Sequence, residues 1–124
     1  MKKHSLIMLL LLAGIFVNAQ DKGVKWTSVS IKTSAQCEQC KTRIEEYLAF
    51  EPGVKKSTLD LQTKEVTVEY NTGKTNLDKL RKAITKCGYD ADDQPADPKA
   101  YKKLPACCKK PGDPDAKPHG KSEM

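Results

Sequence analysis

Cys37 and Cys40 stand three residues apart in the stretch SAQCEQCKTRIEEYL, where a polar loop gives way to an amphipathic helix. Three chemistries use such a pair. A dithiol oxidoreductase places it at a helix start, where the dipole lowers the first thiol's pKa. A structural zinc site needs four ligands, commonly from two paired knuckles. A soft-metal clamp needs only two or three thiolates, which select d10 ions such as Cu(I) over hard cations. No aromatic directly precedes the pair and no parallel strand-helix-strand pattern appears, which weighs against the oxidoreductase. Its other close pair, Cys107-Cys108, is adjacent in sequence and cannot copy a knuckle. The clamp fits best, with one thiolate on a loop and one in the first helical turn. A helix N-terminus there offsets part of the negative charge of a bis-thiolate complex.

The remaining chemistry-bearing residues are candidates of a lesser order. Cys87, Cys107 and Cys108 are candidate additional ligands. Cys87 also reads as a small hydrophobe on a buried helical stripe. The Cys107-Cys108 pair fits a disulfide to another chain, a vicinal disulfide or extra thiolates, which Lys109 and Lys110 would favour. His119 and Met124 are donors on a polar tail and carry little weight. No Ser-His-Asp set, paired carboxylates in an apolar setting or Gly-rich phosphate loop appears, so the chain is expected not to be an enzyme.

The elements that must position the pair follow from periodicity. Val29 and Ile31 alternate with polar residues in a first strand between Val24 and Thr33. Cys40, Ile44, Tyr47 and Leu48 form one helical face, and Pro52-Gly53 ends that helix. Leu59 and Leu61, then Val66, Val68 and Tyr70, make a hairpin across a polar QTKE turn. Asn76 caps a second helix whose stripe is Leu77, Leu80, Ala83, Ile84 and Cys87, with Gly88 as its C′ residue. The stretch YDADD offers a last edge strand with only Tyr89 and Ala91 as apolar members. The expected fold class is α+β, a ferredoxin-like βαββαβ sandwich with two helices on one face of an antiparallel sheet.

The strand, the Cys-x-x-Cys loop, the helix ending in PGV, the LDLQTKEVTVEY hairpin and the LRKAITKCGYDA helix together resemble the heavy-metal-associated domain. That family includes copper chaperones, the metal-binding modules of metal-transporting ATPases and the periplasmic mercury-binding protein. The resemblance spans roughly Val24 to Asp92. It implies metal binding by Cys37 and Cys40, and a turn after the second helix lying beside the metal loop. On that basis Cys87 could reach the ion, and Tyr89 becomes a wall limiting solvent access. Members usually carry Gly-Met-x-Cys-x-x-Cys, whereas Ser34 and Ala35 occupy the Gly and Met places here. An alanine cannot fill a methionine's volume, so either the loop loosens or another side chain fills the gap. Glu38 between the cysteines opposes the helix dipole.

Compartment and organisation come from the ends. A basic start and an apolar run from Leu6 to Val17, closed by Val17-Asn18-Ala19, form the pattern of a secretory signal peptide. The run falls short of the roughly 20 residues a bilayer span needs. The expected order is a signal peptide over 1–19, a linker over 20–23, a heavy-metal-associated domain over 24–93 and a Pro/Lys-rich tail over 94–124. That tail holds six of the seven prolines and is expected to be largely irregular, with one helical turn near Lys99 to Leu104. The formal charge of +6 is scattered among acidic residues, which reads as solvation rather than nucleic-acid binding. Five cysteines, an odd and unevenly spaced set, suit metal binding better than a disulfide framework.

The expectation is therefore an exported, periplasmic or secreted monomer without a membrane span after signal removal. It would carry a soft ion in trafficking or detoxification, by ligand exchange with a metal transporter or another metal-binding domain. Cu(I) is the first candidate; Hg(II), Zn(II) and Cd(II) share the ligand chemistry. The rival functions are Hg(II) sequestration, thiol-disulfide exchange, and a non-metal module whose loop is braced by a Cys37-Cys40 disulfide.

Overall fold

Alternating apolar residues build a three-stranded antiparallel sheet in this computed structural model, in which residues 25–116 are described. The signal-peptide and linker expectations, His119 and Met124 lie outside the described residues. The strands are β1 (Trp26–Lys32), β2 (Val54–Asp60) and β3 (Glu65–Asn71), in the order β1-β3-β2. Register places Val29 opposite Val68, Ile31 opposite Val66, and Leu59 opposite Val66 from the other side. Because side chains alternate across a strand, Ile31, Leu59, Val66 and Val68 share the buried face.

Two helices cover that face, α1 (Glu38–Ala49) and α2 (Leu77–Lys86). Cys40, Ile44 and Leu48 of α1 and Leu80, Ala83 and Ile84 of α2 join the four strand residues in one core. Asn76 caps α2 as expected, its side chain accepting from the Lys79 N–H at 2.9 Å. Tyr47 differs from expectation: it is 40% exposed, because the buried stripe of α1 is the single row Cys40, Ile44 and Leu48 and Tyr47 falls beside it. Leu61 lies beyond the end of β2, in the turn, rather than in the strand. Strand β2 is an edge, and α1 satisfies it in one place. Glu45 Oε1 accepts the Leu59 N–H at 2.8 Å, while Lys41 Nζ donates to Leu59 O at 2.8 Å and pairs with Glu45 at 2.6 Å. Those contacts fix the helix that carries both cysteines.

This is the ferredoxin-like arrangement, with its last strand reduced to a single bridge between Thr33 and Ala91. The chain cannot continue along β1 because it reverses at Asp92, whose φ is +53°. Ala91 and Gln94 exchange two backbone hydrogen bonds across that reversal, both 2.9 Å. Asp92 N–H donates to Lys32 O at 2.8 Å, and Asp92 Oδ1 accepts the Lys32 N–H at 2.9 Å. With only Tyr89 and Ala91 apolar, there is too little alternation to extend the pairing.

The segment read as a largely irregular tail returns to the domain. Asp97 caps a short helix, α3 (Pro98–Lys102), by accepting the Ala100 N–H at 3.0 Å, with Pro98 in the first turn where its missing N–H is harmless. A 3-10 turn follows at Ala106–Cys108. Leu104 and Cys108 are buried in the same core cluster as Tyr89. The helix passes so close to Gly88 that a Cβ there would sit 3.1 Å from Ala100 O and 3.1 Å from Leu104 Cδ2. Gly88 also has φ +105°, a conformation that other residues rarely adopt.

Gly88→Ala should therefore lower stability by at least about 1 kcal/mol, from strain and from displacement of α3. Urea unfolding checks this; an unchanged midpoint would show that the segment does not pack there.

Candidate metal centre

The loop between β1 and α1 is held from both sides. Thr33 Oγ1 donates to Lys64 O at 2.9 Å and accepts the Ala35 N–H at 3.2 Å. Ser34 Oγ accepts the Asp90 N–H at 2.9 Å, which ties the loop to the turn after α2. Ala35 is wholly enclosed, in the same buried cluster as Tyr89 and Cys108.

Cys37 is the N-cap of α1, with extended backbone (φ −152°), and its carbonyl accepts the Lys41 N–H at 3.0 Å. Cys40 lies one turn inside and points into the core. Their sulfurs are 3.4 Å apart, far from the roughly 2.05 Å of a disulfide. Both thiols are free. The structure gives a half-buried Cys37 and a fully buried Cys40.

The enclosure comes from the returning segment. Cys108 Sγ lies 3.8 Å from Cys37 Sγ, and the sulfurs of Cys37, Cys40 and Cys108 all fall within 4.8 Å of one another. With metal–sulfur bonds of about 2.3 Å, three sulfurs around a planar ion stand about 4.0 Å apart, whereas two in a line stand about 4.6 Å apart. To admit a three-coordinate ion, the Cys37–Cys40 spacing of 3.4 Å must open by about 0.6 Å and the Cys37–Cys108 spacing of 3.8 Å by about 0.2 Å.

The other candidates are placed differently. Cys107 lies outside the triad, its sulfur 3.9 Å from Cys108 Sγ and its thiol donating to Gln39 Oε1 at 3.3 Å. Cys87 also stands apart, with its thiol directed at Arg43 O at 3.8 Å. The stripe of α2 points it at the flank of α1 rather than at the N-terminus. Tyr89 is fully buried beside the Cys40 and Cys108 sulfurs. Its hydroxyl makes no hydrogen bond of good geometry, so it is a buried polar atom awaiting an acceptor.

Burial pushes the Cys108 thiol well above its ordinary range, against a smaller opposing effect of the Tyr89 hydroxyl. Lys109 and Lys110 do not act on it as the sequence suggested. Lys110 Nζ pairs with Asp90 at 2.6 Å and Lys109 Nζ with Asp115 at 3.6 Å, and both ammonium groups lie over the Tyr101 ring. Cys108 is therefore a neutral thiol until something displaces its proton, which a soft cation does on binding. Burial likewise pushes the Tyr89 hydroxyl far above the usual tyrosine range, so it remains a donor.

What the sequence reading missed is the convergence, not the residues. Leu104 and Tyr101 were the available signal: two large side chains close before Cys107-Cys108 in an otherwise polar segment. Ser34 in the usual Gly place was noted as a departure, and its hydroxyl proves to be the tie to Asp90.

Comparison with known proteins gives a consistent picture. The family model described as "Heavy-metal-associated domain" matches residues 28–90. A copper-exporting P-type ATPase of Staphylococcus haemolyticus (strain JCSC1435) is 44% identical over 59 residues, covering 48% of this chain. The corresponding ATPase of Staphylococcus saprophyticus is 44% identical over 55 residues, covering 44% of this chain. The chain spans only 7% of the length of either relative. Among solved structures, a CopZ metallochaperone is 26% identical with a TM-score of 0.51, covering 52% of this chain and 98% of that one. Oxidised MerP from Ralstonia metallidurans CH34, at 23% identity and a TM-score of 0.53, covers 55% of this chain and 96% of its own, a likeness of fold.

Cys87 gives a pH test of the separation between core and site. Burial holds its thiol up at about 11, against an ordinary 9.0. Its folded value exceeds its unfolded one, so its contribution is whole below pH 9 and is lost as pH rises toward 11. Over that window Cys87→Ala should lose less stability than the parent, by on the order of 2–3 kcal/mol. Equal losses in denaturant titrations would contradict the assignment of Cys87 to the core.

Proposed function

The chain belongs to the heavy-metal-associated domain family, and from that premise we propose that it carries one soft metal ion, Cu(I) foremost, on Cys37 and Cys40. The observation that carries this reading is the pair of free sulfurs 3.4 Å apart at the start of α1. Two thiolates this close need to part by only about 1 Å to clasp a d10 ion with bonds of about 2.3 Å, and they select soft ions over hard cations. The likeness to segments of copper-exporting ATPases and to a metallochaperone favours copper over Hg(II), Zn(II) or Cd(II).

The protein works outside the cytoplasm, in trafficking or detoxification, on the strength of the signal-peptide pattern in residues 1–19. Among the described residues no helix is long and apolar enough to cross a membrane. Release proceeds by ligand exchange. An incoming thiol of a transporter or another metal-binding domain forms a metal–sulfur bond while one of the chain's own bonds breaks. The incoming thiol's proton passes to the released thiolate, the ion keeps its oxidation state, and it is carried rather than converted, so the step calls for no catalytic residue.

Titration of the reduced protein with Cu(I) and with Hg(II), alongside a Cys37→Ser/Cys40→Ser variant, tests the reading. One equivalent should bind tightly to the parent, and the double variant should lose affinity by orders of magnitude. Undiminished binding by the variant would remove the site from α1. Tighter retention of Hg(II) than of Cu(I), relative to a simple dithiol, would favour the mercury reading. Turnover in an insulin-disulfide reduction assay would favour the oxidoreductase.

A further inference from the structure

We propose that the segment 97–108 is a ligand-bearing latch: Cys108 supplies a third sulfur to the ion held by Cys37 and Cys40, and the latch must lift before a partner can take the ion. This deepens the cargo-binding reading and rests on it.

Two independent observations point to a third sulfur ligand. The first is the sulfur geometry, with Cys108 Sγ 3.8 Å from Cys37 Sγ and all three sulfurs within 4.8 Å. The second is the Tyr89 hydroxyl, fully buried beside the Cys40 and Cys108 sulfurs and making no hydrogen bond of good geometry to either. A phenol in that position satisfies itself by donating to a thiolate, and a thiolate persists there only with a cation beside it. An ion bound to Cys108 and Cys40 supplies both conditions. Tyr89 is then a positioning residue for the sulfurs rather than a ligand.

The latch is anchored well enough to present Cys108, yet lightly enough to leave. Asp97 N–H donates to Thr85 O at 3.0 Å, and Ala96 N–H to Asp90 Oδ1 at 2.9 Å. Cys108 N–H donates to Pro105 O at 2.8 Å, which sets the 3-10 turn. Lys110 N–H donates to Tyr101 Oη at 2.9 Å, and Tyr101 O–H donates to Asp113 at 2.7 Å. Within Ala100–Cys108, however, only Leu104 and Cys108 are buried, with Tyr101 and Cys107 half-buried against the core. A segment with so little apolar anchorage opens locally without global unfolding.

Its position has a consequence for transfer. An incoming thiol needs a coordination place on the ion, and Cys108 occupies it. Exchange therefore runs with the latch: the metal–Cys108 bond breaks, the partner's metal–sulfur bond forms, and the incoming thiol's proton passes to the released Cys108 thiolate. Charge and protons balance, and no oxidant is required. A tethered thiol acts at an effective concentration on the order of millimolar, so it outcompetes a partner thiol present at micromolar levels. The domain holds its cargo closed against adventitious thiols until a partner displaces the segment.

The test uses the full chain loaded with one equivalent of Cu(I), mixed with a chromogenic Cu(I) chelator, and compares capture rates. Cys108→Ser should still bind one equivalent through Cys37 and Cys40 but lose it about tenfold faster or more. Leu104→Ala keeps every sulfur and should also accelerate capture, because it loosens the latch. With Hg(II) as the probe, the parent should show the ultraviolet charge-transfer band of a three-thiolate site, and Cys108→Ser that of a two-thiolate site. An unchanged rate and spectrum in Cys108→Ser would overturn the third ligand while leaving binding at Cys37 and Cys40 intact. Acceleration in Cys108→Ser without any in Leu104→Ala would overturn the lifting of the latch. Failure of the parent to bind either ion would instead overturn the reading on which the proposal rests.

Discussion

Packing the Cys108 thiol into a nonpolar corner makes protonation its resting condition and a soft cation the natural substitute. Cys40 and Cys108 are buried, Tyr89 is enclosed beside them, and Cys37 closes the group from the loop side. Burial raises the Cys108 thiol, so a thiolate there is unfavourable alone. A bound d10 ion replaces the protons and neutralises part of the charge in the same event. The start of α1 and the Tyr89 hydroxyl contribute partial positive charge to what remains. This coupling between metal and proton is why the enclosure does not prevent binding.

The fold supplies the alignment through a small number of ties around the loop. Thr33 bonded to Lys64 O fixes the exit from β1, and Ser34 bonded to the Asp90 N–H joins the loop to the turn after α2. The Asp90 carboxylate in turn holds Ala96 and Lys110, so one residue, through its N–H and its carboxylate, links the sulfur-bearing loop with the returning segment. The ion pairs on the outer surface add little to stability by themselves. Their role is to orient a segment whose buried apolar anchors are Leu104 and Cys108, with Tyr101 and Cys107 half-buried beside them. A strongly packed core on one side and a lightly held strap on the other give the two halves of the site different mobilities.

The parts legible in the sequence were those governed by periodicity and local capping. The strand alternation at Val29 and Ile31, the stripe of α2 and the Asn76 cap depend on near neighbours, and they appear as read. Tyr47 misled because a buried face one row wide, Cys40, Ile44 and Leu48, has margins that hydrophobicity alone cannot place. The last strand shrank to one bridge because Asp92 adopts a positive φ, a choice fixed by its two contacts with Lys32 across the chain. At the candidate site, the Cys37–Cys40 pairing was readable from spacing, since both lie within one helical turn. Cys108 was readable only as a thiol of uncertain purpose. Its approach depends on Leu104 passing over Gly88, a contact between residues distant in sequence, which no local pattern encodes. Cys87 had the converse problem. Proximity in sequence to the turn after α2 suggested reach, while the helix phase turned its sulfur toward Arg43 O.

X-ray absorption at the copper edge, on reduced protein carrying one equivalent of Cu(I), probes the ligand shell without mutation. A nearest shell of sulfur alone, at about 2.3 Å, is the expected result. Nitrogen or oxygen in that shell, or copper that fails to stay with the protein, would contradict a thiolate-held cargo.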